Sequence, residues 1–287
     1  MIRYAPAKIN LGLKITGKRP DGYHNLVTLM QQIGLKDVLS FKIISLPDIQ
    51  VQTRGADLAP KDNLVYLAAK KLKELKNYPG GVEIEVFKRI PLGAGLGGGS
   101  SNAASTLLGL NYLWDLKMTK ASLWKLAEEL GADVPFFLLG GTCLAGNKGE
   151  VLTPVFGMPF FGVVLARPAG LEVSTARVFH NTFYREHPFP DLDYSDLVEA
   201  IKNNNRDAVV SWLERQELNA LEEAAQRLHP EIKSLKDEFL KLGVRPFMSG
   251  SGPTVFSLFE SWKEACQVAT ALEKAGCQAW ASWTESN

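Results

Sequence analysis

Pro91, Leu92, Gly93, Ala94, Gly95, Leu96, Gly97, Gly98, Gly99, Ser100 and Ser101 form one run, and five of these eleven residues are glycine. Before it, Val82, Ile84 and Val86 recur at period two, as in a half-buried strand. After it comes Asn102, and apolar residues at 103, 104, 107, 108, 110, 113 and 114 fit one helical face. A glycine loop between a strand and a helix N-terminus offers free backbone N–H groups and the positive end of the helix dipole. That is an anion site, and phosphate is the usual anion. Gly93, Gly95 and Gly98 match the short dinucleotide spacing, but such a unit needs an acidic residue about twenty positions on, at a strand end. Asp115, the nearest in spacing, falls at the end of the predicted helix. A P-loop is excluded because Gly98 is followed by Gly99 and not by Lys and Ser or Thr. Backbone amides and the Ser100 and Ser101 hydroxyls would therefore hold the phosphates, with cationic help from elsewhere. The alternative, a flexible linker, fits poorly with ordered flanks and a Ser-Ser pair at a helix start.

Other residues are placed to do chemistry. Asp133 follows Gly131-Ala132 and precedes Val134-Pro135, so its backbone is fixed at an element end. Its residue context permits two readings: the N-cap of a helix beginning at Pro135, or a functional carboxylate beside apolar Phe136 to Leu139, where it would need a partner. Lys8 lies within apolar Ala5–Leu13 and needs a counter-charge there, unless it stands on an exposed edge strand. Strand geometry puts Lys8 and Asn10 on one face. Tyr23 and His24 follow the turn Pro20-Asp21-Gly22. An aromatic ring beside an imidazole suits a pyrimidine base, one stacking and the other reading an edge. Lys88-Arg89, directly before the glycine loop, fits a phosphate-facing cation or a solvated charge pair. His180, His187 and His229 have no ligand spacing and are expected at the surface.

Pro91 and the run from Gly95 to Ala104 resemble the central motif of the GHMP kinase superfamily. That family's other two motifs are also present in order, as Ala5-Pro-Ala-Lys8-Ile-Asn10-Leu11 and Met248-Ser-Gly-Ser-Gly-Pro-Thr-Val-Phe256. Within the superfamily, Arg19-Pro-Asp-Gly-Tyr23-His24 and Leu130-Gly-Ala-Asp133-Val-Pro-Phe-Phe137 are similar to kinases of a cytidine-diphosphate-linked methylerythritol in the non-mevalonate isoprenoid pathway. The matching segments run from residue 5 to residue 259.

This resemblance implies an α+β fold of two domains, an ATP-binding domain over 1–153 and a ferredoxin-like substrate domain over 154–287, with the active site in the cleft between them. It implies phosphorylation of the substrate's 2-hydroxyl by ATP with Mg2+, Asp133 acting as base assisted by Lys8. The residues that place the metal are not assigned. Asn10 would bond the substrate or a phosphate oxygen. Tyr23 and His24 would read cytosine, Phe179 would close the other face of the base (or serve the core), and Thr175 would be a neighbouring contact. Asn63, Lys88 and the run Pro91 to Asn102 would bind ATP. Gly250-Ser251-Gly252 would bring further amides near the loop, a plain hairpin turn being the alternative. One departure stands out: the family's glycine-rich turn before Gly149-Glu150 reads Ala145-Gly-Asn147-Lys148 here. Asn147 tolerates a left-handed backbone, so the turn is expected to survive. Superfamily kinases of homoserine, mevalonate or sugars should lack Asp21–His24, and a non-catalytic nucleotide-binding module should have lost Lys8 or Asp133.

The rest of the chain must position these residues. Its 287 residues suffice for one or two domains, with 46% hydrophobic and 22% charged residues, as in ordinary globular proteins. A formal charge of +1 gives no global field for nucleic acid or a membrane, so neither is an expected partner, and a monomer or homodimer is expected. Cys143, Cys266 and Cys277 are widely spaced and read as buried, reduced thiols. No signal-like N-terminal segment or long apolar run is visible, which makes the cytoplasm the expected location. Asp62-Asn63 caps a helical stripe at Leu64, Val65, Ala68, Leu72 and Leu75. Further helices are expected near 122–130, 230–242 and 263–275, and strands at 141–145, 151–154, 160–166, 254–259 and 278–283. Strands and helices should alternate in the first half, and Asn203–Asn205 should be only a polar loop.

Overall fold

A computed structural model describes residues 1–55, 63–182, 193–214 and 218–286. Two units form, each from several stretches of chain: Met1–Ala7, Leu35–Leu92 and Gly97–Leu139 in the first, Lys8–Gly34, Gly93–Leu96 and Gly140–Asn287 in the second. Two long strands, β1 (Ile2–Lys18) and β2 (His24–Ile44), contribute residues to both.

The first unit continues through β3 (Ile49–Arg54), α1 (Leu64–Lys76), β4 (Gly81–Phe87), α2 (Gly98–Leu113), α3 (Lys120–Leu130) and α4 (Val134–Leu139). β4 pairs antiparallel with Val38–Ile44 of β2 and parallel with β3, α1 forming the crossover between β3 and β4. Val82, Ile84 and Val86 are buried on the helix-covered sheet, as their spacing requires. Central to the unit is α2, which packs on α1, α3 and α4. That surrounding explains its small residues: Ser101, Ala103, Ala104 and Ser105 are all buried and admit close neighbours.

The second unit adds β5 (Thr142–Gly146), which pairs with Thr28–Gln31 of β2 and with β6 (Val151–Val155). Next come β7 (Gly162–Arg167), α5 (Thr175–His180), α6 (Ser195–Lys202), α7 (Arg206–Leu213), α8 (Glu222–Leu228) and α9 (Glu231–Lys241). The chain ends with β8 (Phe247–Met248), β9 (Val255–Phe259), α10 (Trp262–Lys274) and β10 (Gln278–Trp283). These last four strands order as β10-β7-β9-β8, all antiparallel, which is the ferredoxin-like arrangement. Val164, Ala166, Ile232, Phe239, Val255 and Leu272 fill the core under that sheet.

Several sequence expectations need correction. The first half opens with three successive strands rather than an alternation. β2 is hard to see because its burial does not alternate throughout: Leu29, Met30 and Gln31 are buried in succession where it pairs with β5. The helix expected over 230–242 is shorter at both ends: Pro230 is its N-cap, and Leu242, 43% exposed, is its C-cap. Asn203–Asn205 is more than a polar loop: Asn203 closes α6, and the Asn205 side chain caps α7 by accepting from the Ala208 N–H. Only Cys143 of the three thiols is fully buried, and burial pushes its pKa up to about 11. His180 is exposed and His229 half-buried, while His187 and the helix-flanking Asp62 lie outside the described residues. Among the described residues no helix is long and apolar enough to cross a membrane.

Candidate active site

The glycine run reaches α2 through three left-handed positions, Gly93 (φ 58), Gly95 (φ 72) and Gly97 (φ 69). Alternate glycines of this kind turn successive backbone N–H groups toward one side and form an anion-binding concavity. The helix starts at Gly98, ahead of the Ser100-Ser101 pair expected at its start, because Gly97 caps it and the Ser101 N–H already donates to Gly97 O at 2.9 Å. Gly98, Gly99 and Ser100 therefore present first-turn amides without intrahelical acceptors. No acidic residue occupies that first turn, so nothing in the helix itself neutralises its positive end. The Ser101 hydroxyl is buried there without a hydrogen-bond partner.

Beneath this helix end lies a buried ionic network. Asp37, wholly inaccessible, accepts from the amides of Arg89 at 2.7 Å and Ile90 at 2.8 Å and from Asn102 Nδ2 at 2.9 Å. Its other contact is an ion pair with Lys88 Nζ, which also donates to Asn102 Oδ1 at 3.1 Å. The Lys88 side chain is 5% exposed, so its charge is held by Asp37, while Arg89 is exposed. Asp37 thus fixes the backbone where β4 leads into the glycine run. Sequence reading missed it, although a lone carboxylate among Leu35, Val38, Leu39 and Phe41 is the signal of a buried charge needing a partner. Asn63 is the N-cap of α1: its Oδ1 accepts from the Val65 amide at 3.0 Å and its Nδ2 donates to Thr53 Oγ1 at 3.2 Å. Asp133 is half-buried and immediately precedes α4, which begins at Val134, one residue before the expected Pro135.

In the second unit the residues around Lys8 form a directed relay. Lys8 Nζ donates to Asn10 Oδ1 at 2.7 Å, Asn10 Nδ2 donates to Thr28 Oγ1 at 2.9 Å, and the Thr28 hydroxyl donates to Gly12 O. Lys8 and Asn10 are each 5% exposed, which rules out an exposed edge-strand lysine. The Lys8 N–H donates to Leu96 O at 3.0 Å, tying β1 to the glycine run.

Ser249 to Gly252 is indeed a hairpin turn, between β8 and β9, and it packs on the same place. Ser249 Oγ accepts from the Asn10 N–H at 3.3 Å and donates to Gly95 O at 3.2 Å. A Cβ on Gly250 would stand 3.2 Å from Asn10 Oδ1, and one on Gly95 would meet Ser249 O at 2.5 Å. Bare backbone is required at this approach. Asn219, another residue the sequence reading passed over, donates from Nδ2 to Met248 O at 2.9 Å and Gly250 O at 2.8 Å, holding the turn. Thr175, at the start of α5, shares a 2.8 Å hydrogen bond with the Ser251 hydroxyl.

Tyr23 is 62% exposed, with Lys148 Nζ 5.2 Å from its ring centre. His24 stacks on Phe179, centroids 5.4 Å apart and planes 26° apart, and Phe179 also packs against the core of this unit. Phe179 thus serves the core, as one of its two expected readings has it, and its ring also stacks on the His24 imidazole. Burial, aided by the nearby Lys18 charge, lowers the His24 pKa below the ordinary imidazole value and keeps the ring neutral.

The chain matches the GHMP kinases N terminal domain over residues 63–141 and the GHMP kinases C terminal domain over 197–277. It is 43% identical to a 4-diphosphocytidyl-2-C-methyl-D-erythritol kinase of Pelotomaculum thermopropionicum over 94% of this chain and 93% of that one. With the kinase of the same name from Geobacillus kaustophilus it shares 43% identity over 89% and 87% of the two chains. A crystal structure of 4-(cytidine 5'-diphospho)-2C-methyl-D-erythritol kinase superposes with a TM-score of 0.83 at 40% identity, covering all of both chains. A homoserine kinase of Cytophaga hutchinsonii, at 18% identity and a TM-score of 0.74, shares the fold. By sequence and by fold, this chain belongs to the GHMP kinases and, within them, to the 4-diphosphocytidyl-2-C-methyl-D-erythritol kinase family.

Proposed function

We propose that this chain, an ATP-dependent kinase by family, transfers the γ-phosphoryl group of ATP to the 2-hydroxyl of 4-diphosphocytidyl-2-C-methyl-D-erythritol, the substrate its relatives are named for. The ATP-binding domain would span residues 1–153 and the substrate domain residues 154–287, with Asn10, Tyr23, His24 and Asp133 of the first stretch also serving the acceptor, in the cytoplasm. The observation that carries the reading is the N-terminus of α2, entered through left-handed glycines and free of any acidic residue in its first turn. Such an end suits the triphosphate, with the run Pro91 to Asn102, Asn63 and Lys88 lining the nucleotide.

Phosphoryl transfer asks the protein mainly for positioning and charge stabilisation. Asp133 takes the proton of the acceptor hydroxyl, and Lys8, oriented by Asn10, stabilises the charge that moves with the phosphoryl group. Among the described residues no three His, Cys, Asp or Glu side chains converge as a metal cage. Mg2+ commonly leans on substrate phosphates and few protein ligands, and the buried, unpartnered Ser101 hydroxyl fits such a role. When bound, the ion neutralises negative charge on the phosphate oxygens. Tyr23 and His24 recognise the cytosine, with Phe179 closing the other face of the base and Thr175 as a neighbouring contact.

Asp133→Asn tests the assignment of the base. Its turnover should fall by about a hundredfold or more with ATP affinity unchanged, as measured by coupled ADP release and calorimetry. Near-normal turnover in the folded variant would remove Asp133 from that role.

A further inference from the structure

We propose that Asn147 and Arg19 are positioning residues that hold the Tyr23–His24 segment and thereby set the affinity for the cytidine end of the acceptor, which rests on the reading of Tyr23 and His24 as the base site. Arg19 is the hub of that segment. Its Nη1 donates to Asn25 Oδ1 at 3.0 Å and to Asn147 Oδ1, and its Nε donates to both carboxylate oxygens of Asp21 at 3.2 and 3.1 Å. The backbone closes around it: the Arg19 N–H donates to Tyr23 O at 2.8 Å, and the Tyr23 N–H to Asp21 Oδ1 at 3.1 Å.

Asn147 sits in the turn between β5 and β6 with φ 61, a conformation that favours glycine. Glycine would meet the backbone requirement with less strain, so the side chain must contribute something a glycine lacks. It bridges two partners, accepting from Arg19 and donating to Glu150 Oε1. Glu150 in turn accepts from the Lys148 N–H at 2.8 Å, and Lys148 Nζ lies over the Tyr23 ring. The Leu26 N–H donates to Asn147 O at 2.7 Å, anchoring the far end of the segment. The turn thus reaches Tyr23 by two routes, one through Arg19 and one through Lys148. Exposed ion pairs such as Arg19–Asp21 stabilise little alone, so the amide bridge supplies the directional constraint.

Steady-state kinetics on the full chain separate this role from a backbone one. Asn147→Gly accepts the left-handed conformation and removes only the bridge. It should raise KM for the cytidine-linked substrate about fivefold, with kcat, KM for ATP and the melting temperature nearly unchanged. Asn147→Asp keeps an acceptor for Arg19 but loses the donor to Glu150 and sets two carboxylates together, so it should raise the same KM, and Arg19→Gln should behave like Asn147→Gly. An unchanged KM in Asn147→Gly, or a joint fall in kcat and melting temperature, overturns the proposal. Tyr23→Ala run alongside distinguishes the failures. If it raises KM and Asn147→Gly does not, the bridge alone is wrong; if neither moves KM, the base-site reading falls as well.

Discussion

The α2 entrance and the Tyr23–His24 segment hold their residues in place by opposite means. The first is built from backbone: left-handed glycines, first-turn amides without intrahelical acceptors, and the buried Asp37–Lys88 pair fixing the strand exit beneath them. Such a site recognises charge and leaves little to side-chain identity, which suits a triphosphate. The second is built from side chains at or near the surface: a mostly exposed Tyr23, a half-buried His24 stacked on Phe179, and an arginine–asparagine bridge. Hydrogen-bonding groups of that kind discriminate one base from another. The contrast suggests that damage to the first region is read in stability and ATP binding, and damage to the second in acceptor affinity.

The largest effect should come from Asp37→Asn. It removes the charge partner of a lysine only 5% exposed and should cost about 3–5 kcal/mol of stability, measured by chemical denaturation. A loss under about 1 kcal/mol would mean that Lys88 finds water or another partner, and that the backbone scaffold is less rigid than its geometry suggests. Next comes Gly97→Val. At φ 69 any side chain is strained, and this one would also crowd the phosphate approach. Calorimetry should show ATP affinity reduced by about tenfold or more while the cytidine-linked substrate still binds. Smallest should be the pH response of His24. With its folded pKa lowered from 6.5, the ring binds protons less readily than in the unfolded chain, so its contribution to stability is present above pH 6.5 and fades as pH falls through the lowered value. In the same acid window KM for the acceptor should rise as the imidazole loses its acceptor nitrogen, whereas KM for ATP should not follow. His24→Gln should abolish that pH step.

How well each region could be read from the sequence follows from the same contrast. Backbone chemistry leaves strong marks: the glycine run, its flanking strand and helix, and the cap at Asn63 all stand where residue types put them. Lys8 and Asn10 share a strand face, as their spacing requires. The start of α2 was misplaced because Gly98 and Gly99 are poor helix formers that tertiary packing recruits into the first turn. β2 was missed because one strand serves two partners, which breaks its alternation. Asp37, Asn219 and Ser249 act through backbone groups far away in sequence, and nothing local marks their partners. The left-handed turn at Asn147 was foreseeable from its residue type, but its bridge to Arg19, 128 positions away, was not.

Discrimination between cytidine- and uridine-linked methylerythritol diphosphates tests the side-chain half of this account most directly. In a coupled ADP-release assay of the unmodified chain, the cytidine compound should turn over, and the uridine analogue should show kcat/KM lower by about a hundredfold or more, because its exchanged donor and acceptor leave the site's polar groups unpaired. Equal kcat/KM for the two compounds would contradict base recognition at Tyr23 and His24.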